Sequence, residues 1–205
     1  MIRDQETLNH LIDLIDRFVR ERLVPREKEL EETGKLPNDI LAEMKELGLF
    51  GLTIPEQYGG LGLTMEEEIL IAFSLGRTSP AFRSVMGTNN GIGSAAIVFN
   101  GTEEQKQKYL PKYASGEWIS CFCLTEPEAG SDAAALKTSA VRDGDCYILN
   151  GTKRYITNAK VADTFNVMAR TNPSIKGARG ISSFIVERDT AGITLGKVDK
   201  KMGQS

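Results

Sequence analysis

The sequence predicts an α+β fold in two parts: an all-α helical domain over residues 1–117, then an antiparallel β-sheet or partial barrel over residues 118–205. Three observations carry this. Before Trp118, apolar residues recur at helical spacing. Two capping boxes open helices in the same half. After Trp118, short alternating runs are joined by turn-forming dipeptides.

The first helix is marked by Leu8, Leu11, Ile12, Ile15, Phe18 and Val19 at i, i+3, i+4, i+7 spacing, with Pro25 expected to follow its end. A second opens near Pro37 and places Ile40, Leu41, Met44 and Leu47 on one face before Gly48. Thr64 with Glu67 forms a capping box for a third helix, closed by Gly76. That helix is apolar around most of its circumference, which predicts an interior position. Over residues 81–99 periodicity does not separate helix from strand, and length favours helix. Thr102 with Gln105 caps a last helix, with Glu103 and Glu104 in its first turn and Lys108 and Lys112 toward its end, as the helix dipole prefers.

The run WISCFCL then reads as a strand with Cys121 and Cys123 on one face. Residues 138–141, 146–149 and 153–157 are read as strands joined through Asp143-Gly144 and Asn150-Gly151, and residues 165–169, 181–186 and 193–198 continue the series. Without strand–helix alternation, a parallel nucleotide-binding sheet is not expected. The sequence ends in KVDKKMGQS with no closing element, and roughly 85 residues are few for a free-standing barrel, so the sheet is expected to be incomplete.

Composition excludes several functions. A net charge of -3, with 25 basic residues scattered among 28 acidic ones, gives no nucleic-acid footprint. No apolar run reaches the length of a membrane span. The acid-bearing amphipathic start fits neither a secretory leader nor a transit peptide, and three Cys without C-x-x-C spacing suggest reduced thiols; together these predict a cytoplasmic protein. With His10 as the single histidine, no metal site is expected.

Gly91-Ile92-Gly93-Ser94-Ala95-Ala96 resembles a dinucleotide fingerprint but lacks the preceding strand and the following acid, so it reads as close helix packing. The stretch 122–131 is the candidate ligand contact. There a strand breaks into Thr125-Glu126-Pro127-Glu128-Ala129-Gly130-Ser131-Asp132, dense in turn formers and short polar side chains. Pro127 stops the ladder, Gly130 lets the backbone turn and approach a ligand, and exposed N–H groups with the Thr125 and Ser131 hydroxyls suit an anionic or polar ligand. The same residues also fit a well-made turn and nothing more. Glu126 and Asp132 read as turn-stabilising rather than as a hydrolytic carboxylate pair.

The string CFCLTEPEAGSD, with LNGTKRYITNA after it, resembles the signature of the acyl-CoA dehydrogenase family. LGLFGLTIPEQYGGLGLT, GTEEQKQKYLP and FIVERDTAGITLGKVDKKMGQ resemble further family segments in order, so the resemblance covers essentially the whole chain. It implies a helical domain, a middle β domain and a C-terminal four-helix bundle, the last absent here, so that the fold is of this type but truncated. It implies FAD as cofactor, held by Phe122, Leu124, Thr125, Gly130 and Ser131 together with Tyr155, Ile156 and Thr157, with Ser131 also near the CoA part of the substrate. Tyr155 departs from the commoner Trp, and an ordinary sheet aromatic is the alternative reading.

The activity implied is α,β-dehydrogenation of an acyl-CoA thioester in fatty acid or amino acid catabolism, with hydride transfer to FAD and electrons passed to electron-transfer flavoprotein. The base lies in the family's bundle, so no catalytic residue is assigned here, and the chain is expected to be inactive alone and to hold FAD weakly. A homo-oligomer, dimer or tetramer, is implied for the complete protein. The alternatives are a flavin oxidase or monooxygenase on the same scaffold, or a non-catalytic binding or assembly module retaining the fold.

Overall fold

The structure is a computed structural model that describes residues 5–199 and Lys201. The expectations that concern the first residues and the end of the sequence fall partly outside the described residues. Contacts divide the chain into two units, Met1–Ile119 with Lys197–Ser205, and Ser120–Gly196.

The first unit is all-α. Helix α1 (Gln5–Phe18) does not stop before Pro25 as the sequence suggested. It runs on through a single π turn, Val19–Leu23, and a 3₁₀ turn, Val24–Arg26, into α2 (Glu27–Thr33). Proline lacks an N–H, and its ring crowds the carbonyl four residues back. The wider π turn, in which the Val24 N–H reaches the Val19 carbonyl, absorbs that conflict without ending the helix. Helix α3 (Asn38–Glu46) buries Ile40 and Met44.

Helix α4 (Met65–Leu75) begins at the expected box: Thr64 N–H donates to Glu67 at 2.7 Å and Glu67 N–H to the Thr64 hydroxyl at 3.3 Å. Its interior position is corrected. Ile71, Ser74 and Leu75 are buried, but Met65 and Phe73 are 71% and 70% exposed and Ile69 faces outward with them. An apolar circumference reports what a helix can bury, not what covers it.

Residues 81–99 are indeed helical, in two pieces: α5 (Pro80–Asn90) and α6 (Ile92–Asn100). The break falls where the Asn90 carbonyl accepts both the Thr53 hydroxyl (2.8 Å) and the Ser94 hydroxyl (2.7 Å). Gly93 and Ser94 are buried in α6, so the fingerprint-like run is helix packing. Helix α7 (Glu103–Ala114) carries the second capping box, Thr102 N–H to Gln105 at 2.9 Å and Gln105 N–H to the Thr102 hydroxyl at 3.2 Å. The core of this unit joins Ile15, Phe18, Leu23, Ile40, Phe50 and Phe82, all buried.

The second unit is a five-stranded sheet: β1 (Ser120–Cys123), β2 (Ser139–Asp143), β3 (Cys146–Asn150), β4 (Thr164–Arg170) and β5 (Ile181–Glu187). Helices followed by a β unit hold as expected, but the sheet is mixed rather than wholly antiparallel. β1 runs parallel to β4 (Ser120 opposite Thr164), and β2 touches β4 in parallel at Ser139 and Arg170. The pairs β2–β3 and β4–β5 are antiparallel. Local turn signals fix hairpins; they carry no information on which distant strand lies alongside.

Two further readings shift. The β2–β3 turn is Gly144-Asp145, one residue later than read, because Asp143 pairs with Cys146; only Gly144 takes positive φ (60°), the pattern of a II′ turn. Residues 153–157 and 193–198 are not strands. No second hairpin follows Asn150, and Gly151 lies tight against Thr138, where a Cβ would come within 2.2 Å of the hydroxyl.

Candidate functional site

The candidate stretch begins on β1, where alternation places Cys121 and Cys123 in a small apolar cluster with Ala162 and Phe165 and turns Phe122 to the other face. The two sulfurs lie 3.7 Å apart; the hydrogen bond to Cys123 and burial push the Cys121 thiol well up, so it stays protonated. All three cysteines are free thiols.

Past Cys123 the ladder ends and the chain folds on itself in a tight turn. Glu126 and Ala129 exchange backbone hydrogen bonds at 3.0 and 3.2 Å across Pro127-Glu128. Gly130 and Ser131 follow as exposed residues. Gly130 does not have positive φ, and a Cβ there would meet nothing within 4 Å, so the turn itself does not require a glycine at this position.

Glu126 is the organising side chain. Only 7% exposed, it accepts from Lys137 N–H (2.6 Å), Thr138 N–H (2.9 Å), the Thr138 hydroxyl and the Lys153 ammonium (2.8 Å). Burial would raise its pKa. The hydrogen bonds from Lys153, Thr138 and the two backbone N–H groups outweigh it and hold the carboxyl down to about 2. The turn-stabilising reading of Glu126 is what these contacts provide; Asp132 is exposed and takes no part in them.

The second predicted stretch meets the first here. Lys153 Nζ donates to the Leu124 carbonyl at 3.0 Å as well as to Glu126, and Arg154 N–H donates to the Thr125 carbonyl at 2.9 Å. Tyr155 follows with φ of 58°, an outlier for a bulky residue of a kind that costs roughly 1–3 kcal/mol and persists only where the surroundings enforce it. The residue is 67% exposed, with the Arg154 guanidinium 4.7 Å from its ring centroid. Ile156 packs on the Cys121/Cys123 cluster, and Thr157 is exposed. Among the described residues, the hydroxyls of Thr125, Ser131 and Thr157 make no hydrogen bond.

Two arginines frame the same region. Arg170 donates to the carbonyls of Ala134 (2.7 Å), Leu136 (3.4 Å) and Ile175 (3.1 Å), and Arg188 to those of Ala162 (2.7 Å) and Lys160 (3.0 Å). The sequence reading did not single out Lys153, Arg170 or Arg188, and no local pattern marks them, since their carbonyl partners lie up to 36 positions away. Open clefts of about 340 and 480 Å³ in the first unit are lined by α1 side chains such as Arg17 and contain none of the predicted site residues. No cluster of metal-ligating side chains occurs among the described residues.

With this geometry in place, comparison with known proteins is decisive. The family model described as the acyl-CoA dehydrogenase N-terminal domain matches residues 5–117, and that for the acyl-CoA dehydrogenase middle domain matches residues 121–205. The chain belongs to the acyl-CoA dehydrogenase family. An acyl-CoA dehydrogenase of Bacillus subtilis is 40% identical over 91% of this chain and 49% of its own length. A crystal structure of an acyl-CoA dehydrogenase complexed with FAD, from Bacillus anthracis, superposes with a TM-score of 0.85 at 38% identity, over 98% of this chain and 35% of that one. The prolyl acyl carrier protein oxidase AnaB, at 34% identity and a TM-score of 0.90, shares the scaffold over 98% of this chain and 53% of its own. This acyl-CoA dehydrogenase family chain thus spans about half the length of the curated relatives it matches.

Proposed function

We propose that this chain is the flavin- and CoA-contacting part of an FAD-dependent acyl-CoA dehydrogenase that introduces an α,β double bond into an acyl-CoA thioester. The observation that carries the reading is the junction of 124–126 with 153–155, which sets an exposed, backbone-strained tyrosine beside a turn with uncommitted hydroxyls. That donor set fits a flavin: backbone groups and the Thr125, Ser131 and Thr157 hydroxyls offer hydrogen bonds to a polar ring edge, and the Tyr155 ring offers an aromatic face. Phe122, Leu124, Thr125, Gly130 and Ser131, together with Tyr155, Ile156 and Thr157, would hold the cofactor, with Ser131 also toward CoA.

When bound, FAD supplies the hydride acceptor. The chain's own residues bind and orient; none is assigned as the base that removes the α-proton. Glu126 is unsuited to that task, because a carboxylate held at a pKa of about 2 by several donors is a poor proton acceptor. Electron-transfer flavoprotein as the acceptor, a homo-oligomer, a cytoplasmic location and inactivity of these residues alone belong to the same reading. No helix among the described residues is long and apolar enough to cross a membrane.

Adding an acyl-CoA to the FAD-loaded complete protein without oxygen should bleach its visible flavin band; a band that persists with every acyl-CoA tried rejects the dehydrogenase. The likeness to the acyl carrier protein oxidase favours one second reading, an oxidase. Rapid reoxidation of the bleached protein by oxygen, rather than by electron-transfer flavoprotein, selects it.

A further inference from the structure

We infer that Lys153 is the positioning residue of this site: its ammonium latches the strand end at 124–126 to the chain at 153–155 and thereby holds Tyr155 in its left-handed conformation. Residues 153–157 form no strand, so no ladder ties them to β1. Three consecutive residues are instead gripped one by one: the Leu124 carbonyl by Lys153 Nζ at 3.0 Å, the Thr125 carbonyl by Arg154 N–H at 2.9 Å, and the Glu126 carboxylate by Lys153 Nζ at 2.8 Å. Glu126 is buried and Lys153 nearly so, with side chains 7% and 11% exposed.

A buried ion pair is a weak source of stability, because desolvating both charges offsets most of their attraction. Directional specificity is what it provides. The lysine straddles Thr125 and sets the register of one segment on the other, and Glu126 is fixed in turn by Thr138 and by the N–H groups of Lys137 and Thr138. Tyr155 is then anchored from both sides, through Arg154 on the strand end and through Ile156 in the apolar cluster. Those two anchors leave its backbone little room to relax from φ 58°. The consequence for cofactor binding rests on the flavin reading above; the latch itself does not.

The test compares the full protein with K153M, K153R and Ile40→Val, the last a core truncation in the other unit that lowers stability without touching the site. Amide hydrogen exchange over 153–157 reads the latch, and FAD titration with the visible flavin spectrum reads the site. K153M should speed exchange at Arg154, whose N–H donates to the Thr125 carbonyl, by about tenfold, weaken FAD by about tenfold and shift the flavin band. K153R should restore most of both, and Ile40→Val should do neither. Unchanged exchange at Arg154 in K153M overturns the latch. Faster exchange with unaltered FAD affinity and spectrum overturns its role in holding the cofactor. An unsubstituted protein that takes up no FAD refutes the flavin reading and leaves hydrogen exchange to judge the latch. If K153M does not fold, Glu126→Gln removes the charge that Lys153 binds and is held to the same outcomes.

Discussion

Each of the two units is stabilised internally by a different means. In the helical unit the interior is apolar and continuous: Ile15, Leu23, Ile40, Phe50 and Phe82 are sealed from solvent, and the arginine–carboxylate contacts such as Arg26 with Asp39 lie at its surface. In the β unit the cluster beneath β1 has four buried members among the described residues, Cys121, Cys123, Ala162 and Phe165. What fixes its loops is a set of cationic side chains aimed at backbone carbonyls: Lys153 at Leu124, Arg170 at Ala134 and Leu136, Arg188 at Ala162. Apolar burial is non-directional and tolerates small shifts; a charged hydrogen bond to a carbonyl specifies a position. The unit that carries the candidate site uses the second means.

The comparison is broken most forcefully in the helical core. Phe82→Ala removes a fully buried ring and should lower stability by about 3–5 kcal/mol. Urea unfolding followed by circular dichroism measures this, and a loss below about 1 kcal/mol would mean that the interior repacks freely.

Acid probes the β unit through Glu126. Glu126 has a folded pKa of about 2 against an ordinary 4.5, so between those values the unfolded chain binds the extra proton. Its stabilisation is complete above about pH 4.5 and is lost as pH falls through about 2, a swing of roughly 3 kcal/mol. Melting temperatures over that range should fall steeply for the protein and more shallowly for Glu126→Gln. Parallel profiles would remove Glu126 from the account.

The smallest expected effect sharpens the contrast on the helical side. Thr102→Ala deletes one arm of an exposed capping box and should cost about 1 kcal/mol, read as a modest drop in the melting temperature. An effect as large as that of Phe82→Ala would show that the start of α7 is more than a local cap.

The same division explains what the sequence made legible. Both capping boxes, the helix over 38–46 and the helical nature of 81–99 follow from rules that act within four residues. Pro25 defeated them, because a π turn admits a proline that a regular α-helix rejects, and the apolar circumference of α4 misplaced that helix in the interior. In the β unit the Gly144 hairpin was legible within one residue. The parallel pairing of β1 with β4 was not, since no local signal spans from Ser120 to Thr164.

Tyr155 read as a strand residue because its neighbours alternate. Its actual backbone is set by Thr125 and Glu126, nearly thirty positions earlier, acting through Arg154 and Lys153. The motif residues of the site were visible as a string of letters, whereas the cations that assemble them were not.

The π turn has a consequence for how this chain tolerates changes of length. A regular helix advances 100° per residue, so deleting Arg17 from α1 would swing every later apolar side chain away from the core. Val19–Leu23 holds one residue more than an α-helical turn needs, and Arg20 within it is exposed. Deleting Arg20 tightens the wide turn to an ordinary one and leaves Ile15 and Leu30 in phase on either side, while restoring the crowding at Pro25 that the wide turn relieves. At this one point the helical unit carries slack in its register, and a one-residue deletion takes it up.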